Sequence, residues 1–206
     1  MATGVAPSEP TGRREELKAQ NRAKLLAAAR KVFAAKGLGA ATARDIVRET
    51  DLASGTFYNY FEDKNDVFRA LIEELADKAR AVVRAQRHLP GRTVEERVLG
   101  AYNAYFELVL EERELFEVLQ RNAGLVSVVT DNELFETGIR ELFVDLVEWA
   151  EAGDLPPLDL DYLAAAMVGA GFQVATHLLN RDPPDPGDAA KFCTRLFMGG
   201  IGVVAE

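Results

Sequence analysis

The chain has 206 residues, of which 48% are hydrophobic and 28% charged, a balance that is ordinary for a globular protein with a buried core. No segment offers eighteen uninterrupted apolar residues and the N-terminus lacks the apolar core of a signal peptide, so we expect a cytoplasmic protein without a membrane partner. The single cysteine, Cys193, excludes an intramolecular disulfide and a cysteine-based zinc site, and its apolar surroundings predict a small buried side chain.

Charge is unevenly distributed along the chain. The net charge is −9, but residues 1–64 carry 11 Lys and Arg against 8 Asp and Glu, whereas residues 65–206 carry 13 against 25. The basic excess is strongest in residues 1–36, which hold 8 basic residues and 3 acidic ones. A basic N-terminal segment followed by an acidic remainder is typical of a protein that contacts phosphate at one end only.

The first 63 residues predict three helices. The hydrophobic pattern of residues 14–36 predicts a helix that ends at Gly37. Thr42 can cap a second, short helix, with Asp45 placed to complete a capping box. A tight turn follows, and residues 54–61 predict a third short helix with small polar groups and aromatic hydroxyls, as in a helix-turn-helix whose second helix lies in a DNA major groove. The predicted core residues are Phe33, Ile46, Val47, Phe57 and Phe61.

Residues 64–206 predict about six more helices and no strand. A long fourth helix is interrupted at residues 88–92, a later one ends near Gly124, and another extends to about Asn180. Capping residues mark the helix starts: Asp63, Thr93 with Glu96, Thr130 with Glu133, Asp159, and Asp185 before Pro186. The predicted fold class is therefore all-α, with an N-terminal arm and three-helix helix-turn-helix domain at residues 1–63 and a second helical domain at residues 64–206.

The surface of the first domain carries groups that suit DNA. Hydroxyls, phenols and an amide on the third helix fit phosphates and base edges. Thr42 lies where a helix N-terminus can bind phosphate, Lys64 begins the fourth helix, and a basic arm that includes Lys18 can follow the backbone or the minor groove. The candidate DNA-binding residues are Arg13, Arg14, Thr42, Ser54, Gly55, Thr56, Tyr58, Asn59, Tyr60 and Lys64.

In these motifs the sequence resembles the TetR family of bacterial repressors. The resemblance covers about residues 17–75. The matching residues are Ala28, Ala29, Phe33, Gly37, Thr42, Asp45, Ile46, Gly55, Thr56, Phe57, Tyr58, Phe61, Asp63 and Lys64. The sequence departs from the family pattern at Asp51, where a turn Gly is usual, at Ser54, where a Lys often lies, and at Tyr60, where His is commonest. Losing a Lys and a His affects the operator sequence and affinity.

The resemblance implies a repressor that binds a palindromic double-stranded DNA operator as a homodimer, with recognition helices in two successive major grooves. It also implies that the second domain binds a hydrophobic small-molecule effector in an apolar cavity and shifts the two DNA-binding heads. Dimerisation in the family uses the last two helices. In this chain those helices carry Gly169, Gly171, Phe172, Leu196, Phe197, Met198, Gly199, Gly200 and Ile201.

The aromatic side chains in residues 93–181 can line such a cavity or belong to an ordinary hydrophobic core. A basic cluster in residues 78–92 is either favourable charge at a helix C-terminus or a site for the phosphates of a ligand such as coenzyme A. Short stretches at residues 116–124, Phe135 and residues 161–167 resemble acyl-CoA-responsive TetR repressors of fatty-acid desaturation genes. This resemblance implies that Arg121 and Asn122 are polar groups inside or at the mouth of the pocket, where Asn122 can bind a thioester carbonyl, although Arg121 can instead pair with Glu117. The candidate ligand-binding residues are Arg84, Arg87, Tyr102, Phe106, Phe116, Arg121, Asn122, Phe143, Phe172, Thr176 and His177.

Other classes of function fit the sequence less well. The chain has two histidines, His88 and His177, and none of the short nucleotide-binding, hydrolase or metalloprotease motifs. His177 can act as a base, but a lone histidine on an apolar helix is more often a core or pocket residue. We therefore predict no catalytic residue, no metal site and no cofactor. Two alternatives stay open: a TetR-type regulator of another apolar small molecule or drug, and a helical protein-binding adaptor without DNA affinity.

Overall fold

The computed structural model describes residues 10–122 and 133–204, which form eight α-helices, one 3₁₀ helix and no strand within those ranges. The helices are α1 (Pro10–Ala40), α2 (Ala43–Arg48), the 3₁₀ helix (Ser54–Asn59), α3 (Lys64–Arg87), α4 (Val94–Glu111), α5 (Arg113–Arg121), α6 (Glu133–Glu151), α7 (Leu160–Leu179) and α8 (Pro186–Val204). The predicted all-α fold is confirmed. Three of these helices precede residue 63 and six follow it, as expected.

Local capping signals determine where most helices begin. The Thr42 hydroxyl accepts a hydrogen bond from the Asp45 N–H at 3.1 Å, and the Asp45 carboxylate accepts one from the Thr42 N–H at 3.1 Å. Thr93 and Glu96 form the same capping box at α4. The carboxylates of Asp63, Asp159 and Asp185 accept N–H groups from the first turns of α3, α7 and α8. The expectations at Gly124, at Thr130 and for the Glu133 side chain lie outside the described residues.

Two helices of the first sixty residues differ from the prediction. The assigned span of α1 continues to Ala40, although the helical backbone breaks at Gly37, where φ is 74°. The third short helix, expected at residues 54–61, is a 3₁₀ helix, with Thr56 N–H donating to the Ala53 carbonyl at 2.8 Å and Tyr60 N–H to the Phe57 carbonyl at 3.0 Å. Short segments of low helix propensity, here with a Gly and a Thr, commonly adopt this tighter form.

The chain divides into two compact units at Leu71/Ile72, inside α3. In the first unit the five predicted core residues are all buried. The rings of Phe33 and Phe68 meet edge to face with centroids 5.9 Å apart, so the first turns of α3 belong to this core. The functional boundary at residue 63 stays a prediction.

The second unit is a bundle in which α4 packs against α7 and α8, α7 packs against α8, and α6 packs against α7. Cys193 is fully buried as predicted, and burial raises the pKa of its thiol to about 11. Within the described residues α7 is the one helix long and apolar enough to cross a membrane by length and composition. Its Leu163, Ala164 and Met167 are buried, as in the core helix of a bundle.

Candidate nucleic-acid interface and effector region

The 3₁₀ helix and the residue after it, residues 54–60, form the recognition segment. Phe57 is buried, and its ring lies 5.9 Å from that of Phe61. Tyr58 is 66% exposed, and Asn59 beside it is also exposed. Ser54 and Gly55 are exposed and Thr56 is half-buried. The segment therefore holds one aromatic ring in the core and turns a phenol, an amide and hydroxyls outward, as its sequence predicted.

Tyr60 is more constrained than its neighbours. It is half-buried, and its hydroxyl accepts a hydrogen bond from Asn21 Nδ2 at 3.3 Å. The guanidinium group of Arg22, the next residue of α1, lies 5.5 Å from the centre of the Phe61 ring. These two contacts tie the end of the recognition segment to α1.

Arg13 and Arg14 lie in the first turns of α1 and are exposed. The basic arm predicted at these residues is therefore helical, and its contact with DNA stays a prediction. The residues that follow, Glu15 to Ala19, are good helix formers and carry the helix back toward Pro10. Both guanidinium groups remain available to phosphate from a helical surface.

The start of α2 holds Thr42 in a charged network. The Asp45 carboxylate accepts a hydrogen bond from the Thr42 hydroxyl at 2.7 Å and one from Lys36 Nζ at 2.7 Å. The Lys36 contact, followed by that of Thr42, lowers the pKa of Asp45 to about 2. Asp45 is therefore ionised at neutral pH, and the exposed Thr42 side chain is held at the beginning of α2.

This network predicts an acid-dependent change in α2. Because the pKa of Asp45 is below its ordinary 3.8, its contribution to stability is present above that pH and is lost as the pH falls toward 2. In an NMR titration we expect the Asp45 carboxyl to titrate near pH 2 and Lys36→Met to raise that midpoint. Lys31→Met, at another exposed lysine of α1, is the matched control and should leave it unchanged. An unaltered midpoint in Lys36→Met would contradict this account.

Lys64 makes its contacts within the protein. Its Nζ donates hydrogen bonds to the carbonyls of Leu38 and Gly39, both at 2.8 Å, and of Ala41 at 3.0 Å. These carbonyls belong to the end of α1 and to the turn before Thr42. The sequence pointed to Lys64 as a DNA contact, but it gave no sign of these three partners, which lie 23 to 26 residues away.

Comparison with known proteins matches this part of the chain to a family. The model for bacterial regulatory proteins of the tetR family matches residues 25–71, which include Thr42, the recognition segment and Lys64. The HTH-type transcriptional repressor KstR2 of Mycolicibacterium smegmatis is 29% identical over 161 residues, 75% of this chain and 74% of that protein. Residues 25–71 are thus a TetR-type N-terminal domain.

Solved TetR-type structures extend the similarity to both units. FadR from Bacillus halodurans superposes with a TM-score of 0.74 at 24% identity, covering 87% of this chain and 95% of that one. FadR from Bacillus subtilis, in complex with stearoyl-CoA, has a TM-score of 0.72 at 22% identity, covering 86% and 98%. These similarities show the fold. Since the TetR family and the relatives are transcriptional regulators, the prediction of a regulator and not an enzyme is confirmed.

The second unit of the chain brings several predicted effector residues together. Tyr102 stacks on Phe106, with ring centroids 5.8 Å apart, and on Phe197 at 6.3 Å. The Tyr102 hydroxyl donates a hydrogen bond to the Met167 carbonyl at 2.9 Å, and burial raises its pKa. The edge of Phe116 meets Tyr105 at 6.3 Å, and the remaining two candidates, Phe143 and Phe172, are half-buried. An aromatic cluster thus joins α4, α5 and α8.

Most of the polar effector candidates form ion pairs or hydrogen bonds with residues of their own helix. Arg121 is exposed and pairs with Glu117 at 3.2 Å, the alternative that the sequence left open. Asn122 Nδ2 donates to the Val118 carbonyl at 2.7 Å, and the Thr176 hydroxyl donates to the Phe172 carbonyl at 3.2 Å. His177 is exposed and therefore lies outside the core, and its predicted role in a pocket stays a prediction. Its position on α7 turns it outward from the bundle.

The basic cluster at the end of α3 is neutralised by carboxylates. Arg87 is buried, with Nε 2.5 Å from Asp145 Oδ2, and His88 Nε2 lies 2.9 Å from Asp145 Oδ1. Arg80 pairs with Asp77 and with Glu141, the latter at 3.7 Å. Lys78 pairs with Glu112 and Arg92 with Glu96, whereas Arg84 is exposed. Arg80 and Arg87 thus belong to an ion-pair network between α3 and α6, and Arg87 is not a free phosphate ligand.

The last two helices present an exposed apolar surface, the α7–α8 face. Its residues recur at spacings of three and four, which places them on one side of each helix. They are Tyr162, Ala165, Ala166, Gly169, Gln173 and His177 on α7, and Phe192, Leu196, Gly199 and Val203 on α8. Two residues expected at the dimer interface turn inward: Ile201 is buried, and a Cβ at Gly171 would lie 3.2 Å from the Tyr102 ring.

Proposed function

We propose that this chain is a ligand-responsive TetR-type repressor that binds a palindromic DNA operator as a homodimer. The observation that carries the proposal is the recognition segment, which turns a phenol, an amide and hydroxyls outward from a rigid aromatic core. It lies in the basic leading part of an otherwise acidic chain, where phosphate is attracted and not repelled. Cytoplasmic location remains an expectation that follows from this role.

The exposed groups divide by chemistry into two kinds of contact. Thr56 and Asn59 can donate to and accept from base edges, which confers sequence preference. Tyr58, Ser54 and Thr42 carry hydroxyls that suit phosphate oxygens, with Gly55 allowing close approach of the backbone. Tyr60, held by Asn21, and the helical Arg13 and Arg14 complete the proposed surface.

The α7–α8 face supports homodimerisation. Phe192 and Leu196 are 59% and 53% exposed, and large apolar side chains that line up on one surface typically mark an interface. Small residues at Gly169 and Gly199 permit close approach of a second copy of the face about a two-fold axis. Two recognition segments related by such an axis require half-sites on the order of 34–36 Å apart, in successive major grooves.

An acyl-CoA is the effector that the structural similarity favours. The aromatic cluster of Tyr102, Phe106 and Phe116 offers apolar surface to an acyl chain, and the similar FadR of Bacillus subtilis was solved with stearoyl-CoA. The ion-pair network supports a second candidate. Because carboxylates neutralise most of the basic cluster, an apolar small molecule or drug without phosphate also fits this chain.

The operator can be selected from random duplexes and the contacts tested on it. We expect Thr56→Val and Asn59→Ala to change which bases are preferred, by about 1–3 kcal/mol for each lost base contact. Tyr58→Phe should weaken binding to all sequences alike, because it removes a phosphate contact. Asn180→Ala, at an exposed amide in the second unit, is the control for Asn59→Ala.

The alternative of a protein-binding adaptor makes the opposite prediction for the same measurements. A repressor loses operator affinity steeply as salt rises, since each neutralised phosphate releases counterions. An adaptor shows no salt-dependent DNA affinity. Unchanged base preference and affinity in the Thr56, Tyr58 and Asn59 variants would contradict the proposed surface.

Native mass spectrometry of the protein purified from a bacterial host tests the dimer and the effector together. A dimer with added mass equal to an acyl-CoA or fatty acid supports the first effector. An empty dimer leaves the repressor in place and favours the phosphate-free alternative. A monomer would contradict the proposed dimer.

A further inference from the structure

Lys64 uses all of its hydrogen-bonding capacity inside the protein. A lysine ammonium has three N–H donors and no acceptor. The three carbonyls of Leu38, Gly39 and Ala41 lie 2.8, 2.8 and 3.0 Å from Nζ, so each donor has a partner. The side chain is half-buried. No N–H of this group is left to donate to a phosphate oxygen while these bonds persist.

The three carbonyls need such a partner. The last carbonyls of a helix have no donor within it, and a cation there also complements the helix dipole. In α1 the break at Gly37 separates the final turn from the rest of the helix, and that turn is bridged by the Ala41 N–H, which bonds to the Gly37 carbonyl at 3.2 Å. Lys64 therefore donates hydrogen bonds to the carbonyls of a turn that has few hydrogen bonds to the rest of α1.

This turn leads directly into Thr42. The Ala41 carbonyl that Lys64 binds belongs to the same peptide unit as the Thr42 N–H, and that N–H donates to Asp45 at 3.1 Å. One peptide plane is thus held on both sides, by the ammonium of Lys64 and by the carboxylate of Asp45. The position of Thr42 and of the start of α2 depends on both contacts.

On the basis of the proposed DNA-binding function, we infer that Lys64 is a positioning residue: it fixes residues 38–41 so that Thr42 meets the operator, and it does not itself neutralise a phosphate. Its positive charge stabilises the carbonyl groups at the C-terminal end of α1. This role separates Lys64 from Arg13 and Arg14, whose exposed guanidinium groups are free to approach DNA.

The salt dependence of operator binding distinguishes positioning from direct contact. A residue that neutralises one phosphate contributes about 0.9 to the slope of log affinity against log salt concentration. We expect Lys64→Met to lower operator affinity by about tenfold, from the loss of charge-assisted hydrogen bonds, with the slope unchanged. Lys64→Gln, which keeps two N–H donors without the charge, should recover part of that affinity. A slope smaller by about 0.9 in both variants would overturn the inference.

A measurement without DNA keeps this inference separate from the proposed function. Amide hydrogen exchange on the free, full-length protein should become faster at Ala41, Thr42 and Asp45 in Lys64→Met and remain slow in the core residue Phe57. Equal exchange at Thr42 in the wild type and the variant would overturn the positioning role. A wild-type protein without operator affinity would instead overturn the proposed function.

A double-mutant cycle completes the test. If Lys64 acts through Thr42, Lys64→Met should cost little affinity once Thr42→Val has removed the hydroxyl. If the two losses add fully, Lys64 acts independently of Thr42 and the inference fails.

Discussion

Asp145→Ala is expected to lower the free energy of unfolding by about 3–5 kcal/mol, because it leaves the buried Arg87 guanidinium without its carboxylate. Both residues are at most 6% exposed, and Nε of Arg87 lies 2.5 Å from Asp145 Oδ2. Burial lowers the pKa of Arg87, and the charge of Asp145 opposes that shift. Urea unfolding followed by circular dichroism measures the difference.

Two controls identify the buried charge as the cause. The double variant Arg87→Met/Asp145→Leu removes both charges and should recover most of the lost stability, since apolar replacements fill similar volume. Glu117→Ala breaks surface pairs with Arg113 and Arg121 and should cost less than about 1 kcal/mol. A double variant as unstable as Asp145→Ala would show that the cause is not the unpaired arginine.

Introducing charge into the α7–α8 face is expected to have the largest effect on DNA binding. Phe192→Asp with Leu196→Glu places carboxylates on two side chains that are more than half exposed in the single chain. The pair should convert the dimer to monomers, because two copies of the face would then bring four carboxylates together. Operator affinity should fall by about 10²–10⁴-fold, the gain that linking two half-site contacts provides.

The matched control lies on another helix. Val144 of α6 is 51% exposed, close to the 53% of Leu196, so Val144→Glu adds one carboxylate, as Leu196→Glu does, at a similar apolar position outside the face. We expect Val144→Glu to leave both the dimer and operator affinity intact. Analytical ultracentrifugation of both proteins decides the point: a dimer in the Phe192→Asp/Leu196→Glu protein would place the interface elsewhere.

Features set by neighbours in the sequence were predicted well. Thr42 with Asp45 and Thr93 with Glu96 satisfy N–H groups three residues away, so the residues themselves specify the helix starts. The buried set around Phe33 and Phe57 follows from helical spacing and from the TetR pattern. The recognition segment needed one correction, because α and 3₁₀ geometry differ by small energies that six residues of sequence do not resolve.

Features that depend on distant partners were not predicted. Arg87 was interpreted as part of an exposed basic cluster, because Asp145, its ion-pair partner, lies more than fifty residues away in the sequence. The three carbonyl partners of Lys64 were not predicted either, because a residue type does not show which distant backbone carbonyls it will bind. The effector candidates Arg121 and His177 were chosen by residue type, and their exposure depends on how the helices pack. The chemistry of a side chain was readable from the sequence, but a partner far away in the sequence was not.

The 3₁₀ geometry of the recognition segment also constrains how its side chains can vary. With three residues per turn, positions three apart stand directly above one another. Thr56 and Asn59 therefore form one outward column and Gly55 with Tyr58 forms a second, while Phe57 turns into the core. A bulkier group at position 56 would press against Asn59 instead of opening a separate contact. The two positions are thus expected to evolve as a pair, so that a change of operator requires coordinated substitutions in one column.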